Sequence, residues 1–88
     1  MYKYPLFDTR GPTYKAITTI YAPRSLGVNY IAMQNDVVTL WSLVDVISDP
    51  IQRTFVIVGT GHAIEPEANY LGTVFYQSLF WHVFEVFL

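Results

Sequence analysis

The segment that most constrains this chain is Leu79-Phe80-Trp81-His82-Val83-Phe84-Glu85-Val86-Phe87-Leu88. It is intensely apolar, rich in aromatic and β-branched residues, and alternates at period two, so it reads as a strand. Uncovered at a sheet edge, such a strand would template aggregation. It is therefore expected either in the interior of a sheet or paired with a second subunit. The rest of the chain has the same character. Helical periodicity is almost absent, and turn residues interrupt the sequence at short intervals, which predicts an all-β domain.

Seven short strands follow from the pattern. Tyr2, Tyr4 and Leu6 share one side of a first strand, which Pro5 restricts to an edge or a strand end. Lys15 to Tyr21, Val28 to Gln34 and Val37 to Asp45 form the next three. Asn35-Asp36 makes a two-residue hairpin turn, because both residues tolerate positive φ. The fourth strand is apolar on both faces and is expected to be central. Thr54 to Val58, Tyr70 to Tyr76 and Leu79 to Phe87 complete the set, with a last hairpin around Gln77-Ser78. At most one helical turn fits, near Glu65. The expected architecture is a compact antiparallel sandwich or partly open barrel, folded as one small β domain over residues 1–88.

Composition bounds the partners. Hydrophobic residues make up 52% and charged residues 14% of the chain, against about 25% charged in an average domain. A chain of 88 residues cannot hide that much apolar surface inside itself. A homo-oligomer or a sticky partner-binding face is the expected outlet. The five basic residues, Lys3, Arg10, Lys15, Arg24 and Arg53, are scattered, so no nucleic-acid partner is expected, since phosphate binding needs a concentrated basic footprint. No segment matches the roughly 20 apolar residues of a spanning helix, and no membrane partner is expected. Cysteine is absent, which excludes disulfides and fits a reducing cytoplasm.

Few residues point to chemistry. Gly59-Thr60-Gly61-His62 is the most loop-like cluster: two glycines let backbone approach a ligand, their N–H groups suit an anion, and His62 adds a donor. A phosphate loop would want a lysine and a following helix, both missing here, and a tight turn leaving a buried strand accounts for the same residues. His62 and His82 with Asp45 or Glu85 carry metal-ligand chemistry, but nothing in the sequence brings them together, and no metal or cofactor is expected. Asp45 and Glu85 read as strand-end charges or as ion-pair partners of Arg53 rather than an acid–base couple. No serine has a nucleophile-elbow context, so no catalytic residue is assigned and no enzyme is expected. The surplus aromatics are the loudest feature, and Tyr2, Tyr4, Trp41, Phe80, Trp81 and Phe84 are the candidate interface residues.

Taken in order, Tyr2-Lys3-Tyr4-Pro5, Gln34-Asn35 through Leu40-Trp41-Ser42-Leu43-Val44-Asp45, Arg53-Thr54-Phe55, Gly59-Thr60-Gly61-His62, Leu71-Gly72-Thr73-Val74 and Trp81-His82-Val83-Phe84-Glu85 resemble a family of small uncharacterised phage and prophage proteins. The resemblance spans nearly the whole chain. The chain departs from that family at Asp36 and at Gln77-Ser78, where turn glycines are usual. The resemblance implies a phage-borne accessory protein in the cytoplasm of an infected bacterium, and it brings no catalytic residue with it. With the aromatic surplus, this leads to the expectation of a protein that binds and modulates or inhibits a host protein. The alternative is an oligomeric binder of small nucleotide signals that uses the Gly59–His62 loop.

Overall fold

The computed structural model describes residues 1–9, 15–59 and 68–87. Among them run seven strands: β1 (Tyr2–Asp8), β2 (Lys15–Ala22), β3 (Ser25–Gln34), β4 (Val37–Val44), β5 (Ile51–Gly59), β6 (Asn69–Tyr76) and β7 (Leu79–Val86). Of the two expected architectures, the open sandwich is the one formed. A three-stranded sheet has the order β1-β4-β3 and a four-stranded sheet the order β2-β5-β7-β6, and every pairing is antiparallel. The chain is therefore all-β, as its alternating β-branched and aromatic residues dictate.

Strand position follows sequence character. β7 lies between β5 and β6, where both of its edges are hydrogen-bonded, so its apolar residues are no aggregation template. β4 is the centre of its sheet, and β1, which carries Pro5, is an edge. One detail differs from simple alternation. A bulge between Pro5 and Phe7 makes Leu6 the extra residue, so Phe7 takes the inward place next after Tyr4. The two hairpins among the described residues, β3–β4 and β6–β7, turn through Asn35-Asp36 and Gln77-Ser78, all four with φ between 50° and 65°. Positive φ at both central residues is the two-residue turn whose twist matches the flanking strands. The connection after β4 turns at Asp45 to Ser48. There the Asp45 carboxylate accepts the Ile47 N–H at 3.2 Å and the Asp45 carbonyl accepts the Ser48 hydroxyl at 2.9 Å. An aspartate that bonds backbone two residues on is a self-contained turn maker.

The core fills the space between the sheets. Val38 and Leu40 of β4 face Phe55 and Ile57 of β5 and Trp81 and Val83 of β7, with Leu6, Phe7, Ile31 and Val74 around them. The two layers are stitched at their margins. The Thr18 hydroxyl donates to the Leu6 carbonyl at 2.9 Å, joining β2 to β1. On the opposite margin β3 lies on β6, and a Cβ added at Gly72 would stand 2.9 Å from Ile31 Cβ. Glycine is required there because any side chain would push the sheets apart.

Candidate functional site

Two kinds of surface emerge from this frame: a polar cleft at one end of the sandwich, and the outward faces of the two sheets. The cleft begins with register. On β5 the inward positions are Arg53, Phe55, Ile57 and Gly59, and on β7 they are Trp81, Val83 and Glu85. Arg53 and Glu85 thus meet inside the sandwich, at 2% and 4% exposure. The guanidinium grips the carboxylate with both forks: Nε donates to Oε2 at 2.8 Å and Nη2 to Oε1 at 2.9 Å. Such bidentate charge-assisted bonds are the strong ones. Nη1 reaches the Pro23 carbonyl at 3.4 Å and the Ser42 hydroxyl at 3.5 Å. Ser42 in turn donates to Asn29 Oδ1 at 2.8 Å, which Ser25 also donates to, at 3.1 Å. Arg53 lies over the Phe55 ring, 5.3 Å from its centroid. The chain of bonds runs from the four-stranded sheet into the three-stranded one, so it clasps that end of the sandwich.

Above the pair opens a cleft of about 250 Å³ lined by Arg24, Ser25, Gly27, Asn29, Ile51, Arg53, Asn69, Glu85 and Phe87. This is smaller than the usual ligand pocket. Its floor is electrically balanced, because Glu85 matches Arg53, and its one hydroxyl at the wall is committed: Ser25 Oγ donates to Asn29 and accepts the Gly27 N–H at 3.0 Å. The rim cation, Arg24, is 3.6 Å from the Asp45 carboxylate. The arrangement holds two sheets together and presents neither an anion trap nor an activated nucleophile.

The sequence-predicted residues distribute as follows. Glu85 does pair with Arg53, but buried rather than at a solvated strand end, and Asp45 sits apart from it with Arg24. Thr60, Gly61 and His62 of the proposed binding loop lie outside the described residues, and Gly59 is the buried last residue of β5. His82 faces outward, its Nδ1 within 2.9 Å of Thr73 Oγ1, whereas Glu85, an odd number of residues on, faces inward, so these two cannot share a ligand. Among the described residues, no three His, Asp or Glu side chains converge.

The six candidate interface aromatics fall into different environments. Trp81 points into the core at 2% exposure, because it alternates with Phe80; it stacks on Tyr76 with ring centroids 5.2 Å apart. Tyr4 is half-buried, and its hydroxyl, like that of Tyr76 and the Trp81 indole N–H, is buried with no hydrogen-bond partner. Desolvation raises the Tyr4 phenol above the ordinary 10.0, with nearby Arg53 lowering it and Tyr2 raising it; desolvation alone raises Tyr76. Tyr2 is 49% exposed at the start of β1.

Trp41, Phe80 and Phe84 face outward, on two different faces. On the three-stranded sheet, register places Lys3, Trp41 and Tyr30 in one row and Pro5, Thr39 and Ala32 in the next. Tyr30 is 61% exposed, and its ring lies 5.9 Å from that of Trp41. On the four-stranded sheet, Ile17, Val56, Phe84 and Tyr70 form one row, and Phe75 sits opposite Phe80 nearby. The Tyr70–Phe84 and Phe75–Phe80 rings are 5.6 and 4.8 Å apart. Nothing in the sequence assigns Ser42, Asn29, Ser25, Tyr30 or Tyr70 to a site. An uncharged polar residue or a lone tyrosine in a strand carries no spacing signal, and only sheet register reveals its neighbours.

No helix among the described residues is long and apolar enough to cross a membrane. The family described as a domain of unknown function, DUF7352, matches residues 1–87. Neither the curated proteins nor the solved structures give a match.

Proposed function

The chain belongs to the DUF7352 family, and from the geometry above, together with the resemblance carried by its sequence, we propose that it is a binding protein, phage-encoded, that docks onto a protein of the infected bacterium in its cytoplasm and modulates or inhibits it. The observation that carries this is the Tyr30–Trp41 pair on the outer face of the three-stranded sheet. Tyrosine and tryptophan dominate interface hot spots because they offer large contact area with few torsions to freeze. Here both are held on paired strands, with the exposed polar side chains Lys3 beside Trp41 and Gln34 further along β3. An aromatic centre within a polar rim is the composition of an interface that forms between separately folded partners. Among the described residues, Glu85 is engaged with Arg53, Asp45 with its own turn and His82 with Thr73.

The test is affinity capture of tagged protein from its bacterial host, run in parallel with a Tyr30→Ala/Trp41→Ala variant. One host protein should bind saturably to the wild type and be lost from the variant, while the variant keeps its melting temperature to within a few degrees. If every captured protein is retained equally by the variant, the face is not the docking site. If the purified protein carries a nucleotide absorbance band and no protein partner, the small-molecule alternative takes its place.

A further inference from the structure

The opposite face of the molecule has a different composition. By strand alternation the outer face of the four-stranded sheet carries Ile17 and Tyr21 on β2, Phe80 and Phe84 on β7, and Tyr70 and Phe75 on β6. Exposures are 62% for Ile17, 73% for Tyr21, 55% for Tyr70, 58% for Phe75 and 55% for Phe80. Among the described residues, the positions between them are threonine, glutamine, histidine and valine, with Val56 and Val58 buried, and the one charged residue on the face is Lys15, at the start of β2. We propose that this face is a homodimer interface, on which a second copy of the chain packs sheet against sheet about a twofold axis.

Three observations select a second copy over a foreign partner. First, a twofold interface brings a patch against itself, so a patch rich in one sign of charge would face the same sign; a face whose described residues include one marginal lysine and no carboxylate carries almost no such penalty. Second, homodimer interfaces are more apolar than those of partners that meet as independent proteins. Three phenylalanines and an isoleucine stand here beside two tyrosines, whereas the Tyr30–Trp41 face also carries Lys3 and Gln34. Third, the area suffices: at 150–250 Å² per aromatic side chain, the five exposed side chains alone offer on the order of 600 Å². A standard interface takes about 800 Å² from each partner, and the partly exposed Phe84, His82 and Thr73 add to the area on offer. Outer faces of paired sheets stack at about 10 Å, as the inner ones do, so the dimer is a four-layer stack.

The experiment is native mass spectrometry with analytical ultracentrifugation on the full chain at tens of micromolar. Wild type should be a dimer. Phe75→Glu/Phe80→Glu should be monomeric with unchanged circular dichroism, its dissociation constant raised at least about a hundredfold by two desolvated charges. Ile17→Glu, on the other side of the same face and outside the hairpin, should weaken the dimer in the same direction and serves if the hairpin variant does not fold. Mixing Phe75→Glu/Phe80→Glu with Phe75→Lys/Phe80→Lys should restore a mixed dimer. Tyr30→Glu should leave the dimer intact, which separates this proposal from the host-docking face. A monomeric wild type, a dimer that persists in the folded Glu variants, or a dimer lost in Tyr30→Glu would overturn it.

Discussion

Arg53 shows how much depends on one buried guanidinium. Its carboxylate partner is 32 positions away in sequence, and together they replace the hydration both gave up on burial. Removing one partner strands a charge in the core, which costs about 3–5 kcal/mol, whereas replacing both with apolar residues of similar volume is often neutral. Glu85→Ala should therefore lower the chemical-denaturation midpoint sharply, while Arg53→Met/Glu85→Leu should recover most of the loss. Equal destabilisation in both would mean the pair is not the clasp. Tyr4 and Tyr76 illustrate the opposite case, polar atoms buried without a partner. Their folded phenols titrate above the unfolded value of 10.0 because desolvation disfavours the phenolate. The folded state then holds protons that the unfolded state releases, so stability is whole below about pH 10 and falls as pH rises through the raised values. Tyr4→Phe/Tyr76→Phe should be neutral or stabilising at pH 7, since no hydrogen bond is lost. It should also shift alkaline unfolding to higher pH, and an unchanged alkaline midpoint would remove this account.

At the level of strands and turns, the chain was legible where the signal is local. Alternation of β-branched and aromatic residues marked all seven strands, Pro5 marked an edge, and Asn35-Asp36 and Gln77-Ser78 marked the two hairpins. The ends were less legible: β5 begins at Ile51 rather than Thr54, because Gln52 and Arg53 do not look like strand interior until Arg53 has its buried partner. Sheet membership was not legible at all. β1 with β4, β2 with β5 and β5 with β7 pair across long separations, and no residue spacing encodes that choice. The same limit hid the candidate surfaces. Which aromatics point out depends on register and on bulges, so Phe80 and Trp81 looked alike in sequence and parted in the fold. The Gln77-Ser78 turn yields a prediction. Both residues sit at positive φ without the glycine or asparagine that tolerates it, a strain of roughly 1 kcal/mol or more. Ser78→Gly should raise stability by about 1 kcal/mol in denaturant unfolding, and a destabilised variant would show that the turn is not strained.

At the scale of the whole molecule, the two proposals assign one role to each outer face of the sandwich: a foreign protein on the Tyr30–Trp41 face, and a second copy on the face of Ile17, Phe75 and Phe80. A domain of this size buries only a modest fraction of its surface and has a thin margin of stability. Covering the second face by self-association adds to that margin by mass action. The melting temperature should therefore rise with protein concentration in the wild type and be independent of it in Phe75→Glu/Phe80→Glu.

The position of β7 bears on how the chain comes off the ribosome. β7 is made after both of its neighbours, so throughout synthesis β5, paired at most with β2, and β6 wait for the strand that joins them. The four-stranded sheet cannot close in the order in which it is translated. Until β7 is made, the flank of β5 that it covers has no partner strand and stands open to chaperones and to other nascent chains.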